Sequence, residues 1–141
     1  MALSNLARIE RNLGNYDDAL VFFKEALDIK RGQAKYKAFQ RSLTGETIDY
    51  PASGKGVAYQ HSLNAELYFE WGIDDMALEQ LAAADSLLHY VMQNPKFKES
   101  LACRADLGKN HLLRMKIFSA AENYAGAYTE SKAAVHLLKD S

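Results

Sequence analysis

Three short segments of this chain spell one pattern: GNYDDAL at 14–20, GIDDMAL at 72–78 and ENYAGAY at 122–128. Aligning them puts Ala19, Ala77 and Ala127 in register, and seven residues further on Ala26, Ala84 and Ala134. Seven residues make two helical turns, so both alanines of each segment lie on one face of a helix. Two antiparallel helices approach closely only where their facing side chains are short. A chain that repeats this device is confined to helices packed in pairs.

The flanking residues supply those helices. Leu3, Leu6, Ile9 and Leu13 recur at three or four positions until Gly14-Asn15 interrupts them. Asp17 and Asp18 are expected to supply a cap and first-turn negative charge to the next helix, marked by Ala19, Leu20, Phe22, Phe23, Ala26, Leu27 and Ile29. It is expected to continue from Lys30 to Leu43, with Gly32 a candidate break. Val57 to Trp71 forms a helix that Gly72 stops, and Asp74 and Asp75 open another that runs to about Met92. Asn94-Pro95 reads as a cap followed by a first-turn proline, ahead of a long helix from about Lys96 to Ala121. Asn123 then restarts the chain from Tyr124 to about Leu138. No stretch alternates apolar and polar residues for long, so no strand is expected. The fold class is therefore all-α, with antiparallel helical hairpins stacked as a short solenoid.

The expected organisation is a single domain over residues 1–141: hairpin one at about 2–43, a loop at 45–56, hairpin two at about 57–93 and hairpin three at about 95–139. The segment GETIDYPASGKG at 45–56 is rich in glycine, proline and serine, and reads as an exposed loop. Helical periodicity begins directly after Met1, which also fits a fragment of a longer protein.

Laid against W-x-x-L-G-x-x-Y, A-x-x-x-F and P, hairpin one resembles the tetratricopeptide repeat. Leu6, Ala7, Ala19 and Phe23 fit that pattern, while Glu10 occupies an aromatic place. The matching positions in hairpin two are His61, Asn64, Ala65, Tyr68, Ala77 and Leu81; in hairpin three they are His111, Arg114, Met115, Phe118, Ala127 and Ser131. Aligned alanines are spaced more widely than the family's repeat length, so the stack is irregular. The resemblance implies protein binding on the concave face formed by the first helix of each hairpin. Carried over residue by residue, that face comprises Ser4, Arg8, Arg11 and Asn12, then Tyr59, Ser62, Glu66 and Phe69, then Lys109, Leu112 and Lys116. Family members that clamp a terminal carboxylate use Lys, Asn and Arg at fixed inner positions. Ser4, Arg8, Ser62, Glu66, Leu112 and Lys116 do not reproduce that set.

Composition agrees with a folded helical chain: 48% hydrophobic residues, 25% charged residues and two prolines. A net charge of −1 conceals a segregated pattern. Residues 57–95 hold six acids and no Lys or Arg, between flanks in which basic residues predominate. Such blocks set local fields that steer partners. The basic run Lys30, Arg31, Lys35, Lys37 and Arg41, interleaved with Tyr36 and Phe39, offers modest footing for phosphates. A solvated helix face or docking on the acidic hairpin explains it better, so nucleic acid is not the expected partner.

Catalytic and metal constellations are missing from the sequence. His61, His89, His111 and His136 have neither the i to i+4 histidine spacing nor the cysteine pairs of a zinc site. Gly54-Lys55-Gly56 lacks the earlier glycine and the following Ser or Thr of a phosphate loop. Cys103 stands in a helical apolar pattern as a small core residue, and no base is nominated beside it. Tyr59, Phe69 and Trp71 read as packing aromatics, with Trp71 half-buried. The single cysteine excludes an intrachain disulfide and fits a reducing, cytoplasmic location. No apolar run is long enough for a membrane span.

These features predict a non-enzymatic scaffold, without cofactor or metal, that binds a protein or peptide partner in its groove. The alternative is a regulatory or oligomerisation segment of a larger signalling or transcription-regulator protein. Neither end of the stack has a polar capping helix, so a homodimer is a further expected arrangement.

Overall fold

A computed structural model describes residues 2–43, 50–93 and 101–139, with side chains for these except Ser4, 34–43 and 50–54. Among the described residues there are six α-helices and no strand: α1 (Ala2–Asn12), α2 (Tyr16–Leu43), α3 (Tyr50–Trp71), α4 (Asp74–Met92), α5 (Leu101–Ala120) and α6 (Tyr124–Leu138). They pack as the pairs α1–α2, α3–α4 and α5–α6, with α2 against α3 and α4 against α5. This is a stack of three antiparallel hairpins.

One turn closes every hairpin. Gly14 and Gly72 take left-handed φ values of +83° and +86°, and Glu122 takes +60° at the equivalent place. Their amides donate to Arg11, Phe69 and Ser119 carbonyls at 3.0, 3.1 and 3.0 Å. The next amides, of Asn15, Ile73 and Asn123, each reach back to Glu10, Tyr68 and Phe118 at 2.8 Å. This paired pattern satisfies carbonyls that a helix end leaves orphaned. A carbonyl of each residue after the turn (Asn15, Ile73, Asn123) then accepts from Ala19, Ala77 and Ala127, starting the second helix.

The capping expectation needs correction here. Asp17 and Asp18, like Asp74 and Asp75, sit inside the first turn. There their charge favours the helix amino end, as expected, while the cap position itself is taken by the preceding Asn15 or Ile73. Asn123 does cap α6, its side-chain oxygen accepting from Gly126 N–H at 3.1 Å.

The recurrent alanines are interior. Ala19, Ala77, Ala26, Ala84 and Ala134 are fully buried, and Ala127 is 8% exposed. Around them lie three apolar clusters. Ala7, Ala19 and Phe23 of hairpin one are joined by Leu63 and Leu67 of α3. Ala65, Tyr68, Ala77 and Leu81 of hairpin two are joined by Ile117 of α5. Ala58, Ala84, Leu88 and Val91 meet Cys103 and Leu107 of α5. Each fully buried Phe, Leu or Ile here contributes about 1.5–3 kcal/mol. Trp71 is half-buried and stacks on Tyr16 and Tyr68, at ring-centroid distances of 6.1 and 6.3 Å.

Two other expectations change. Residues 50–56 open α3 instead of belonging to an exposed loop, while 44–49 lie outside the described residues. Pro51 falls in the first helical turn, where its missing N–H would have had no helical partner. Gly32 does not break α2, since an interior glycine costs only about 1 kcal/mol. In α1 Ala7 is buried, whereas Leu6 and Ile9, and Leu13 just beyond the helix, are exposed, because α2 and α3 cover a different side. Asn94 and Pro95, with the expected start of the long helix at Lys96, lie outside the described residues.

Candidate functional site

The first helices of the three hairpins bound a groove with two adjoining depressions. One, of 420 Å³, is lined by side chains of Arg11, Glu66, Phe69, Glu70, Lys109, Leu112, Leu113 and Lys116. The other, of 190 Å³, is reached by Arg8, Tyr59, Ser62, Leu63, Asp106 and Asn110, and shares Glu66, Lys109 and Leu113 with the first. Of the residues expected from sequence, Arg8, Arg11, Tyr59, Ser62, Glu66, Phe69, Lys109, Leu112 and Lys116 line these depressions. Asn12, exposed at the end of α1, lines neither depression, and the side chain of Ser4 lies outside the described residues. Glu70 and Leu113 complete the larger depression, and sequence reasoning missed both. Their signal was helical: Glu70 follows Glu66, and Leu113 follows Lys109, by four residues and hence on the same face.

Arginines on α1 tie it to α3 across the groove. Arg11 lies 3.7 Å from Glu66 and 3.3 Å from Glu70, the latter through its Nε as an ion pair without hydrogen-bond geometry. Arg8 donates to the Tyr59 hydroxyl at 3.4 Å. On the opposite wall, Lys109 and Lys116 have no ion-pair partner among the described residues. Phe69, Leu112 and Leu113 provide apolar surface between these charges. Among the described residues the site thus combines an apolar strip with positive charge on α5 that has no ion-pair partner, and internally neutralised charge on α1 and α3.

Behind the groove runs a polar network that fixes α3, α4 and α5. The Ser62 hydroxyl donates to Asn110 Oδ1 at 2.8 Å, and the Asn110 amide donates to Asp85 Oδ1 at 2.9 Å. Arg114 closes the chain on the other Asp85 oxygen. Since Ser62 and Asn110 also face the smaller depression, this network sets the spacing of its α3 and α5 walls.

A second network joins α2 to α3 and α4. Gln60 is fully buried, accepting from Lys30 at 3.3 Å and donating to Asn64 at 3.2 Å. His61 Nδ1 lies 2.7 Å from Gln80 Oε1, and its Nε2 lies 3.4 Å from Arg31. An amide oxygen can only accept and a guanidinium can only donate, so the imidazole is neutral with its proton on Nδ1. Burial holds the His61 pKa below the ordinary histidine value; the Gln80 bond opposes this and Arg31 reinforces it. Burial also lowers Lys30. The basic run therefore meets hairpin two at Lys30 and Arg31, on neutral Gln60 and His61 and not on its acids. Side chains of Lys35, Lys37 and Arg41 lie outside the described residues.

His111 is bonded to Glu130 across hairpin three, so both aligned histidines serve packing. Cys103 is buried in the core. Among the described residues no three His, Cys, Asp or Glu side chains gather as a metal site, and no helix is long and apolar enough to cross a membrane.

Residues 1–31 match a family model described as a tetratricopeptide repeat. No curated protein matches the chain. The matched segment covers α1, its turn and half of α2, and the same turn with the same buried alanines recurs in the two hairpins that follow. Residues 1–31 are thus similar to a tetratricopeptide repeat, and the described residues as a whole form an irregular stack of three helical hairpins that share its turn.

Proposed function

We propose that the groove between α1, α3 and α5 binds a peptide or helix of a partner protein, and that the chain is a non-catalytic scaffold. Tetratricopeptide repeats mediate protein–protein interaction. The observation that carries the groove reading is the apolar strip of Phe69, Leu112 and Leu113 beside Lys109 and Lys116, which have no ion-pair partner among the described residues. Such a surface suits a ligand with apolar anchors flanked by carboxylates, held as a helix or an extended segment. Arg8, Arg11, Tyr59, Ser62 and Glu66 complete the walls, and Ser4 and Asn12 extend α1 beyond them. A reducing, cytoplasmic setting fits the single buried Cys103.

Display of a random peptide library on the immobilised chain, followed by calorimetry on selected peptides, tests this reading. The expected result is binding that Leu112→Asp or Lys109→Glu weakens at least tenfold and that Glu79→Lys, on α4, leaves unchanged. Selection of no peptide, or peptides indifferent to Leu112 and Lys109, would overturn it.

A second reading, self-association within a larger regulatory protein, is favoured by the exposed apolar residues at both ends of the stack, Leu6 and Ile9 on α1 and Tyr128 and Val135 on α6.

A further inference from the structure

Each junction between hairpins is made the same way. A plug residue on the first helix of one hairpin enters a socket of three residues on the hairpin before it. Leu67 of α3 joins Ala7, Ala19 and Phe23, and Ile117 of α5 joins Ala65, Ala77 and Leu81. Leu67 and Ile117 each stand five residues ahead of the left-handed residue of their turn, Gly72 or Glu122. Both plugs are buried, at 0% and 1% exposure.

Two halves of this junction are left over. Ile9 stands five residues ahead of Gly14, in the plug position of hairpin one, and is 54% exposed. Met115, Ala127 and Ser131 hold the three socket positions of hairpin three. They line an open depression of 570 Å³ whose rim carries Tyr124 and Tyr128, each 66% exposed. On the socket floor the Ser131 hydroxyl is bonded to the Met115 sulfur, so the side chains there are already held in place.

The neighbouring register also matches. At the second junction Asp85 of α4 meets Arg114 of α5. The residues in those two places at the free ends are Val135 and Leu6, both apolar and both exposed, at 66% and 44%. A charge pair inside the stack is thus replaced by an apolar pair across its two ends. We propose that the empty socket of hairpin three receives Ile9 of a second copy of this chain, with Leu6 against Val135, so that copies stack head to tail. Such an interface is heterologous and leaves a plug and a socket free on every assembly, so growth continues past two copies. This surface is separate from the α1–α3–α5 groove that is proposed to bind peptides, although both use α1.

Sedimentation velocity up to millimolar protein tests the proposal. The wild-type chain should show a mass that rises with concentration beyond that of a dimer. Ile9→Asp removes the plug and Tyr128→Asp damages the socket. Both positions are exposed, and circular dichroism should show unchanged helicity for each variant. Each variant alone should be a monomer, and an equimolar mixture should form a species of two chains and nothing larger, because one partner supplies the socket and the other the plug. A wild-type monomer at all concentrations, a closed dimer, assembly that survives either substitution, or a mixture that stays monomeric would each overturn the proposal.

Discussion

The Asp85 carboxylate on α4 is bonded to the Arg114 guanidinium on α5, with their side chains 16% and 14% exposed. This pair and Asn110, which bridges Ser62 of α3 to the same carboxylate, join hairpins two and three. Removing one member of a largely buried pair leaves the other charge without its partner. Asp85→Ala should therefore destabilise the fold by about 2–4 kcal/mol, measured as a shift in the urea midpoint. The double variant Asp85→Val, Arg114→Leu carries the residue pair of the free ends, and should recover most of that loss.

The left-handed turn residue gives a prediction of opposite sign at two equivalent places. Glu122 holds φ +60°, a conformation that a side chain disfavours and glycine adopts freely. Glu122→Gly should stabilise the chain by roughly 0.5–1 kcal/mol, after allowance for the greater freedom of glycine in the unfolded state. Gly72→Ala should destabilise it by about 1–2 kcal/mol. The cause is backbone strain alone, since a Cβ at Gly72 would meet no atom within 4 Å. Thermal melts of the two variants measure both effects.

His61 makes stability depend on pH. Its native pKa is lowered, by burial first and by Arg31 as well, so the folded state prefers the neutral ring. The charged groups recorded around it are Arg31 and, one residue away on α2, Lys30; the group facing it from α4 is the neutral Gln80. Between the native pKa and the ordinary value of about 6.5, the unfolded chain binds more protons than the folded one. Stability is then fully present above that ordinary value, falls as pH drops below it, and levels off below the native pKa. Urea midpoints for wild type and His61→Gln, taken across pH 7.5 to 5.5, should show a decline in the wild type that is smaller in the variant. Equal slopes would remove His61 as the cause.

The short side chains at the hairpin crossings set a steric limit. Ala77 is fully buried at the α3–α4 approach. Ala77→Leu should cost about 1–3 kcal/mol or more through overpacking. Ala125→Leu, on the exposed side of α6, should fall within about 0.5 kcal/mol of wild type. Denaturant midpoints of the pair separate packing from helix propensity.

Much of the fold was legible because its signals are local. A glycine after a helix, and small residues two turns apart, report directly on a turn and a close crossing. Even Glu122, which breaks the glycine rule, was placed by its alignment with Gly14 and Gly72. The start of α3 was hidden because proline, serine and glycine read as loop whether or not a proline happens to occupy a first turn. Helical spacing left open, for a different reason, whether Ile9 and Leu13 are covered. Periodicity shows that a helix has an apolar face, but not whether the chain supplies anything to cover it. The groove residues followed from the family resemblance, one or two per turn, which is why Glu70 and Leu113 were passed over. The Asp85–Arg114 pair joins residues far apart in sequence and leaves no mark on either local pattern.

Amide hydrogen exchange with a display-selected peptide bound tests the central claim most directly. Slowed exchange and shifted resonances concentrated on the α1, α3 and α5 faces around Tyr59, Phe69 and Leu112, with α4 and α6 unchanged, are the expected result. Protection confined to the α4 and α6 surfaces, with the groove exchanging as in the free protein, would contradict it.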